Sequence, residues 1–441
     1  MTIVASPELV EWWTTPAGED LINAVSALSW TPADSLSSTA QLRRHYPDLT
    51  PEILNGTIDL VQARQRAVEK LGPASAHWFL TLAAVQQATP YAVTHYRSRR
   101  LLSSDSTIAQ PIHDATCSVG TEVAALVQAG STGELSGSDI DQARLAMARH
   151  NVPTVAFQEA DCLHPVWGSD VITLLDPARR TATGQRRYRG PDATTPSLTA
   201  VLEAYRQRPY LMKCAPGIEW DKLFADGWGT GPWQGEVEII SITGSHDGGV
   251  KEAALWSVDL LNRIAGTAVN VAEDNDGYTR RRATILSSNG QIVDQITNSA
   301  ANEAAAADVP TREVGEILIE PDGAIVRAGL VRHWAARHGL WQLDTRIAHL
   351  TGSAAPAGVA YYPVVEQMRY RVADIKKALR HYPTSSIEIL VRGVDVDPAH
   401  LRKAILPKPV SDAPARTLVI SRVGSNACLL YTSDAADERS S

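Results

Sequence analysis

The sequence predicts an α/β protein in three parts: a parallel-sheet core, a helical domain before it, and a small two-layer α+β domain after it. Three observations carry this. Between Ile112 and Trp256, short apolar runs alternate with helix-patterned stretches, the rhythm of stacked βαβ units. Before residue 109 the apolar residues recur at helical spacing, with no alternation long enough for a sheet. From Val364 onward the segments take the order β-α-β-α-β-β. The expected parts are therefore 1–108, 109–310 and 311–427, and 441 residues suffice for more than one core.

In the first part, Ser6 precedes an apolar run that has Pro7 at the first helical position and Glu8 in the first turn. Leu49, Ile53, Ile58, Val61 and Ala67 follow a helical period up to Gly72, where that helix should stop. VQQATPYAVTHYRSRRLL reads as a further helix, interrupted or started near Pro90. In the core, IHDATC, GELSGSD, TVAFQE, DVITLLD, YLMKCAPG and EVEIISIT read as strands; EVAALVQAG, DQARLAMARH and SLTAVLEAYRQR fit the helices between them. VKEAALW adds a strand, and RRATILSSNGQIVDQI reads as a hairpin turning at Asn289-Gly290. SAANEAAAADVPT reads as a linker or a poorly ordered loop. EILIEPDGAIVRAGLVRHWAARHGLWQLD reads as an extended segment, a turn, and one helix from about Ile325 to His338.

In the last part VVEQMRY, SSIEILVRG, ARTLVISRV and ACLLY are strand-like. RVADIKKALRHY and DPAHLRKAIL are helix-like, the second with Asp397 as cap and Pro398 at its first position. The chain then ends TSDAADERSS, and CLLYTSDAADE resembles a translated sequencing-adaptor read-through, so 428–441 is expected to be a non-native tail.

Composition narrows the function. With 44% hydrophobic and 20% charged residues the chain is an ordinary globular one, and no apolar run approaches the roughly 20 residues needed to cross a bilayer. MTIVASPELVEWW carries acids where a signal peptide has a basic patch and an apolar stretch, so the expected location is the cytoplasm. Cys117, Cys162, Cys214 and Cys428 form no C-x2-C or Cys/His cluster, which disfavours structural zinc and implies no disulfide framework; no metal is expected. Cys117 and Cys214, in apolar strand-like surroundings, read as buried thiols. A net charge of -8 argues against a general nucleic-acid coat. Two stretches oppose that average: 176–192 has five arginines against two aspartates, and 359–408 has nine Lys/Arg against five acids. They are candidate contacts for a polyanion, although a solvated surface explains such an excess as readily.

Candidate site residues lie just after the strand runs, where ligands of parallel sheets bind. HDATCSVGTE, residues 113–122, is a small-residue strand-to-helix turn that can direct backbone N–H groups at a nucleotide-type ligand, with Gly120 as its permissive position. Asp139 would accept both ribose hydroxyls of such a ligand or cap the next helix, a role that Asp141 fills better. Asp161, ending the third run, could accept an adenine amino group. VITLLDPARR places Asp176 and the rigid Pro177 at the tip of the fourth strand, where an acceptor can hold the hydrogens of an amine nucleophile. Arg179, Arg180, Arg186, Arg187 and Arg189 would flank phosphates; the alternative is one arginine paired with a core carboxylate and the rest exposed. Lys213 ends the fifth run beside Pro216-Gly217 and either shapes the substrate pocket or pairs internally with an acid.

WFLTLAAVQQAT, DATCSVGTE, LLDPARR, MKCAPG, EPDGAIVRAGLV, LDTRIAHLTG and IEILVRGVDVDP, in this order, resemble the actinobacterial branch of the class I S-adenosylmethionine-dependent methyltransferases with a C-terminal THUMP-like domain. The resemblance implies a Rossmann-like methyltransferase core at 109–310 and a THUMP-like α+β domain at 311–427. It implies S-adenosyl-L-methionine as cofactor, with contacts around Asp114, Cys117, Gly120, Asp139 and Asp161, and a target base near Asp176, Pro177 and Arg179. Gln87, Ala88 and Thr89 would close over the cofactor side. The common class I turn is D-x-G-x-G-x-G; here Thr116 and Ser118 replace glycines, which leaves open a degenerate scaffold. The expected function is therefore methylation of a base amine in tRNA or rRNA, Asp176, Pro177 and Arg179 acting at the reaction centre and Arg180, Arg186 and Lys213 toward substrate. A noncatalytic RNA-binding or assembly protein is the alternative.

Overall fold

The computed structural model describes residues 5–31, 33–102, 110–178, 194–244, 249–265, 280–382, 384–405, 413–423 and 426–433. Helices Pro7–Trp13, Pro16–Ser26 and Pro51–Leu71 start alike. Ser6, Thr15 and Thr50 each accept a hydrogen bond from the amide three residues on, and proline fills the position whose N–H would otherwise be unsatisfied. Gly72 ends the third at φ +89°, a backbone that side chains resist. Pro90 separates helices Leu82–Gln87 and Tyr91–Leu102.

Strands β1 (Ile112–Asp114), β2 (Leu135–Asp139), β3 (Ala156–Glu159), β4 (Ile172–Leu175), β5 (Tyr210–Cys214), β6 (Gly235–Ile242), β7 (Gly249–Ser257), β8 (Arg280–Leu286) and β9 (Ile292–Thr297) make one sheet. Their order is β3-β2-β1-β4-β5-β7-β6-β8-β9. β1 to β5 are parallel, and β7 runs against both β5 and β6. The chain works outward from β1 through β2 and β3, then returns to β4 on the other side of β1. That reversal opens a crevice beyond the carboxyl ends of β1 and β4. β8 and β9 form the hairpin expected at Asn289-Gly290. Gly290 has φ +78°, and a Cβ there would lie 2.8 Å from the Ala92 carbonyl oxygen, so both turn and packing demand glycine.

The helical part shares its core with the sheet: Trp13, Leu60 and Leu80 pack in one cluster with Val119, Leu145 and Met147. Asn151 stitches the joint, its Nδ2 donating to the carbonyls of Phe79 (3.0 Å) and Val119 (2.9 Å) while its Oδ1 accepts the Phe79 N–H (2.7 Å). Helix Tyr91–Leu102 brings charge as well as bulk. Arg100 reaches the buried Glu236 and Glu238 of β6, both at 2.5 Å, with its guanidinium 3.9 Å over the Trp256 ring. Burial opposes ionisation of Glu236, yet Arg100 and Arg282 hold it down at about 2.

The structure departs from the sequence reading in the joining region. The supposed linker SAANEAAAADVPT contains helix Ala300–Ala307. Alanine has the highest helix propensity, and Arg332 secures the end of this helix through the carbonyls of Ala306, Ala307 and Val309. The single helix expected over 325–338 is two, Gly323–Arg327 and Val331–His338, parted at Gly329 with φ +67°. This region also packs back on the larger sheet: Asp322 accepts from Ser241 Oγ (2.7 Å) and Asp294 from Trp334 Nε1 (2.8 Å).

Strands β10 (Ile317–Ile319), β11 (Trp341–Gln342), β12 (Leu350–Gly352), β13 (Tyr362–Arg369), β14 (Ile387–Arg392), β15 (Arg416–Val423) and β16 (Asn426–Ser433) form the second sheet. Its order is β11-β12-β10-β13-β16-β15-β14, with helices Val372–His381 and Pro398–Ile405 as expected; β11 and β12 had escaped the sequence pattern. Residues 428–433, where the tail was expected to begin, lie within β16, which pairs with β15 as far as Ser433. Residues 434–441 lie outside those described.

Candidate active site

The crevice is built from the turn after β1. Asp114 is buried, its Oδ1 accepting from the Thr116 amide (3.1 Å) and its Oδ2 without a partner. Burial, reinforced by the neighbouring Glu122, Asp176 and Asp139, raises its pKa well above the usual carboxylate range. Gly120, at φ +86°, leads into helix Thr121–Gln128; a Cβ there would meet Ala148 and Val152 at 3.4 Å.

The two hydroxyl residues in this turn have specific partners. Thr116 Oγ1 accepts the Asp176 N–H at 2.7 Å, tying the turn to the tip of β4. Ser118 adopts the left-handed region at φ 49°, and its amide donates to Asp139 Oδ2 at 2.9 Å. Cys117 is the buried thiol that its surroundings in the sequence indicated. Its thiol is buried and pushed up in pKa by that burial; its amide donates to the Ser138 carbonyl and its carbonyl accepts from Gly120. Its backbone hydrogen bonds join the turn to the tip of β2.

At the tip of β2, Asp139 also accepts from the Asp141 amide (3.0 Å), while Asp141 caps the next helix through the amides of Ala143 and Arg144. The capping alternative therefore belongs to Asp141. Ile140, absent from the sequence reading, is 71% exposed beside Asp139. Asp161, past β3, accepts from the Leu163 amide (2.9 Å) and faces His164 Nδ1 (3.1 Å).

Asp176 ends β4 half-exposed, and its Oδ2 accepts from Lys213 Nζ at 2.6 Å; Pro177 beside it is buried. Of the two roles left open for Lys213, the structure gives it the ion pair. Burial works against its charge, but Asp176 and Glu252 more than offset this and raise its pKa. Arg179, Arg180, Arg186, Arg187 and Arg189 lie outside the described residues. Thr89 is buried with an unpartnered Oγ1 and lines a small hollow with Thr121, the first residue of the helix after Gly120; Gln87 is exposed.

Arg97 was missed altogether. It bridges Glu122, in the first turn of that helix, to Glu252 on β7, the latter at 2.7 Å. Burial pushes Glu252 up in pKa, opposed by Arg97 and Lys213. The available signal was Glu252 leading into the apolar run Ala253–Trp256 of a strand, since buried acids require cations. Thus a continuous set of charges runs from Glu122 through Arg97, Glu252 and Lys213 to Asp176.

These groups suit an adenosyl sulfonium: an orphan acceptor at Asp114, an acid and an exposed apolar side chain together at the tip of β2, and carboxylates to balance positive charge. Among the described residues no group of three or more His, Cys, Asp or Glu could hold a metal, and no helix is long and apolar enough to cross a membrane.

A sheet that reverses beside β1, an antiparallel β7 inserted between β5 and β6, and acids at successive strand tips define a class I methyltransferase core. Known proteins agree. Two Mycobacterium tuberculosis proteins, from strains CDC 1551 / Oshkosh and ATCC 25618 / H37Rv, are each described as an uncharacterized S-adenosylmethionine-dependent methyltransferase. Each is 38% identical over 393 residues, covering 87% of this chain and 96% of the relative. The chain belongs to the S-adenosylmethionine-dependent methyltransferases. Residues 359–433 match the THUMP domain-like family. In fold, the chain resembles the crystal structure of a protein provisionally called a methyltransferase from Porphyromonas gingivalis W83. The TM-score is 0.65 at 18% identity, covering 93% of this chain and 100% of that one.

Proposed function

We propose that this enzyme methylates an amine of a base in structured RNA, either tRNA or rRNA, in the cytoplasm. The observation that carries the reading is Asp176: a half-exposed carboxylate at the switch point, its backbone N–H pinned by Thr116 and one oxygen held by Lys213. Its Oδ1 then accepts a hydrogen of the target amine, so that the nitrogen lone pair faces the methyl group. Pro177 stiffens the chain beside it. Asp114, Gly120, Asp139 and Asp161 hold the cofactor, with Ile140 against the adenine face. Bound there, S-adenosyl-L-methionine supplies an electrophilic methyl group, and the protein's contribution is orientation and charge placement. Arg179, at the reaction centre, and Arg180 and Arg186, on substrate phosphates, are roles proposed from sequence alone. The THUMP-like module supports RNA as substrate, because a compact α+β unit can engage RNA through backbone shape.

The test is transfer of labelled methyl from S-adenosyl-L-methionine to total tRNA and rRNA from a strain lacking the gene. D176A should lower transfer by about 100-fold or more while cofactor affinity holds. Absence of transfer to any RNA, with cofactor binding intact by calorimetry, overturns the RNA assignment. Absence of cofactor binding would instead favour a noncatalytic RNA-binding scaffold.

A further inference from the structure

Residues 320–329, reading EPDGAIVRAG, pack against β6, β7 and β8 on one face of the larger sheet, starting at the carboxyl end of β6. Asp322 caps helix Gly323–Arg327 by accepting from the Ala324 amide (2.7 Å), and the same oxygen takes the Ser241 hydroxyl at the end of β6. Beyond β5, the Arg327 carbonyl accepts from Trp220 Nε1 at 3.0 Å. Arg281 lies 5.0 Å over the ring of that tryptophan and donates to the carbonyls of Ala328 (3.2 Å) and Gly329 (3.1 Å). Three anchors therefore fix the backbone that carries Arg327.

The guanidinium is in a different condition. It is exposed, and among the described residues its hydrogen bonding is one long contact, 3.4 Å, to the neutral Pro216 carbonyl, with no carboxylate partner. A Cβ built on Gly217 would touch only Arg327 Nη1, at 3.7 Å, so this cation overhangs the turn that leaves β5. Pro216 follows Lys213 by three residues, and Lys213 touches Asp176. Arg327 thus stands beside the loop that leaves β5, the strand whose Lys213 holds Asp176.

We propose that Arg327 binds a backbone phosphate of the RNA strand next to the nucleotide presented to Asp176. This rests on the RNA reading above. A planar guanidinium can take two phosphate oxygens at once, and such contacts set the register of a strand without reading its sequence. Arg327 would therefore fix where the strand lies across the crevice, from a segment that also leads into the second sheet.

The test is fluorescence anisotropy of end-labelled total bacterial tRNA, and separately of rRNA, with the full-length protein over a salt series. R327Q should weaken binding several-fold at about 0.1 M salt and reduce the slope of log affinity against log salt by about 0.7–0.9, the signature of one lost phosphate contact. R327K should restore the slope, and S-adenosyl-L-methionine affinity should be unchanged in both, which shows that the fold is intact. R43Q, removing an exposed arginine from helix Ser35–His45, is the control for net charge and should leave the slope alone. An R327Q slope equal to wild type, or an equal loss in R43Q, overturns the inference while leaving the RNA reading standing. If the wild-type protein binds cofactor but neither RNA, both fall together.

Discussion

Replacing Arg97 with methionine removes a charge that joins the helical part of the chain to the crevice. Arg97 is 3% exposed and Glu252 1%, and their contact is 2.7 Å. Methionine keeps much of the stem but strands Glu252 among Glu122 and Asp176, with Lys213 its remaining cation. Removing one partner of a buried pair costs about 3–5 kcal/mol, mostly the penalty of the charge left behind. In a domain of this size that lowers the thermal midpoint by about 6–20 °C. Adding E252Q removes the stranded charge, so the double variant should recover about 2 kcal/mol relative to the sum of the single changes. Differential scanning calorimetry of the four proteins measures this. A midpoint for R97M within about 2 °C of wild type, or simple additivity, would refute the argument. Because Arg97 also holds Glu122, calorimetric titration of R97M with S-adenosyl-L-methionine should show affinity reduced several-fold.

D139N should weaken S-adenosyl-L-methionine binding by about tenfold or more, since a hydrogen bond to a charged group contributes about 1.5–3 kcal/mol; unchanged affinity would exclude Asp139 from the ligand. T116V leaves the Asp176 amide without its acceptor, so methyl transfer should fall while T116S stays near wild type; equal activity of the two would show that the 2.7 Å bond does not position Asp176. Asp114 gives a pH signature. Its folded pKa is raised above the ordinary 3.8, so the folded state binds the extra proton. The associated stability is full below the unfolded value and is lost as pH rises through the folded one. D114N should flatten that decline in a pH series of thermal midpoints, and an unchanged profile would count against a raised Asp114.

Most strands were legible because each is a local pattern: β4 holds the apolar Ile172, Leu174 and Leu175 just before Asp176, and the β8–β9 turn needs only Asn289-Gly290. Helix starts were legible for the same reason, as in Ser6 before Pro7. The alanine-rich helix at 300–307 was misread because its polar, small-residue text lacks an amphipathic stripe, and its support comes from Arg332 on a separate helix. The break at Gly329 was missed because a glycine inside a helical pattern does not by itself show which neighbours crowd it; here Arg281 and Trp220 do.

At the site, Asp139, Asp161 and Asp176 could be named from strand tips, and Asp114 only through the family resemblance, whereas their present partners could not be named. Thr116 looked like a defect in a glycine turn and proves to be the acceptor for an amide 60 positions away.

What the sequence by itself determined is the order of strands, helices and caps, and the acids that follow each strand, since these depend on chain neighbours and on periods of two and 3.6 residues. Only the tertiary structure decided which charges meet: Lys213 with Asp176, 37 positions apart, and Arg97 with Glu252, 155 apart. The reason is that ion pairing and desolvation depend on distance and burial in space, which the spacing of residues along the chain does not encode.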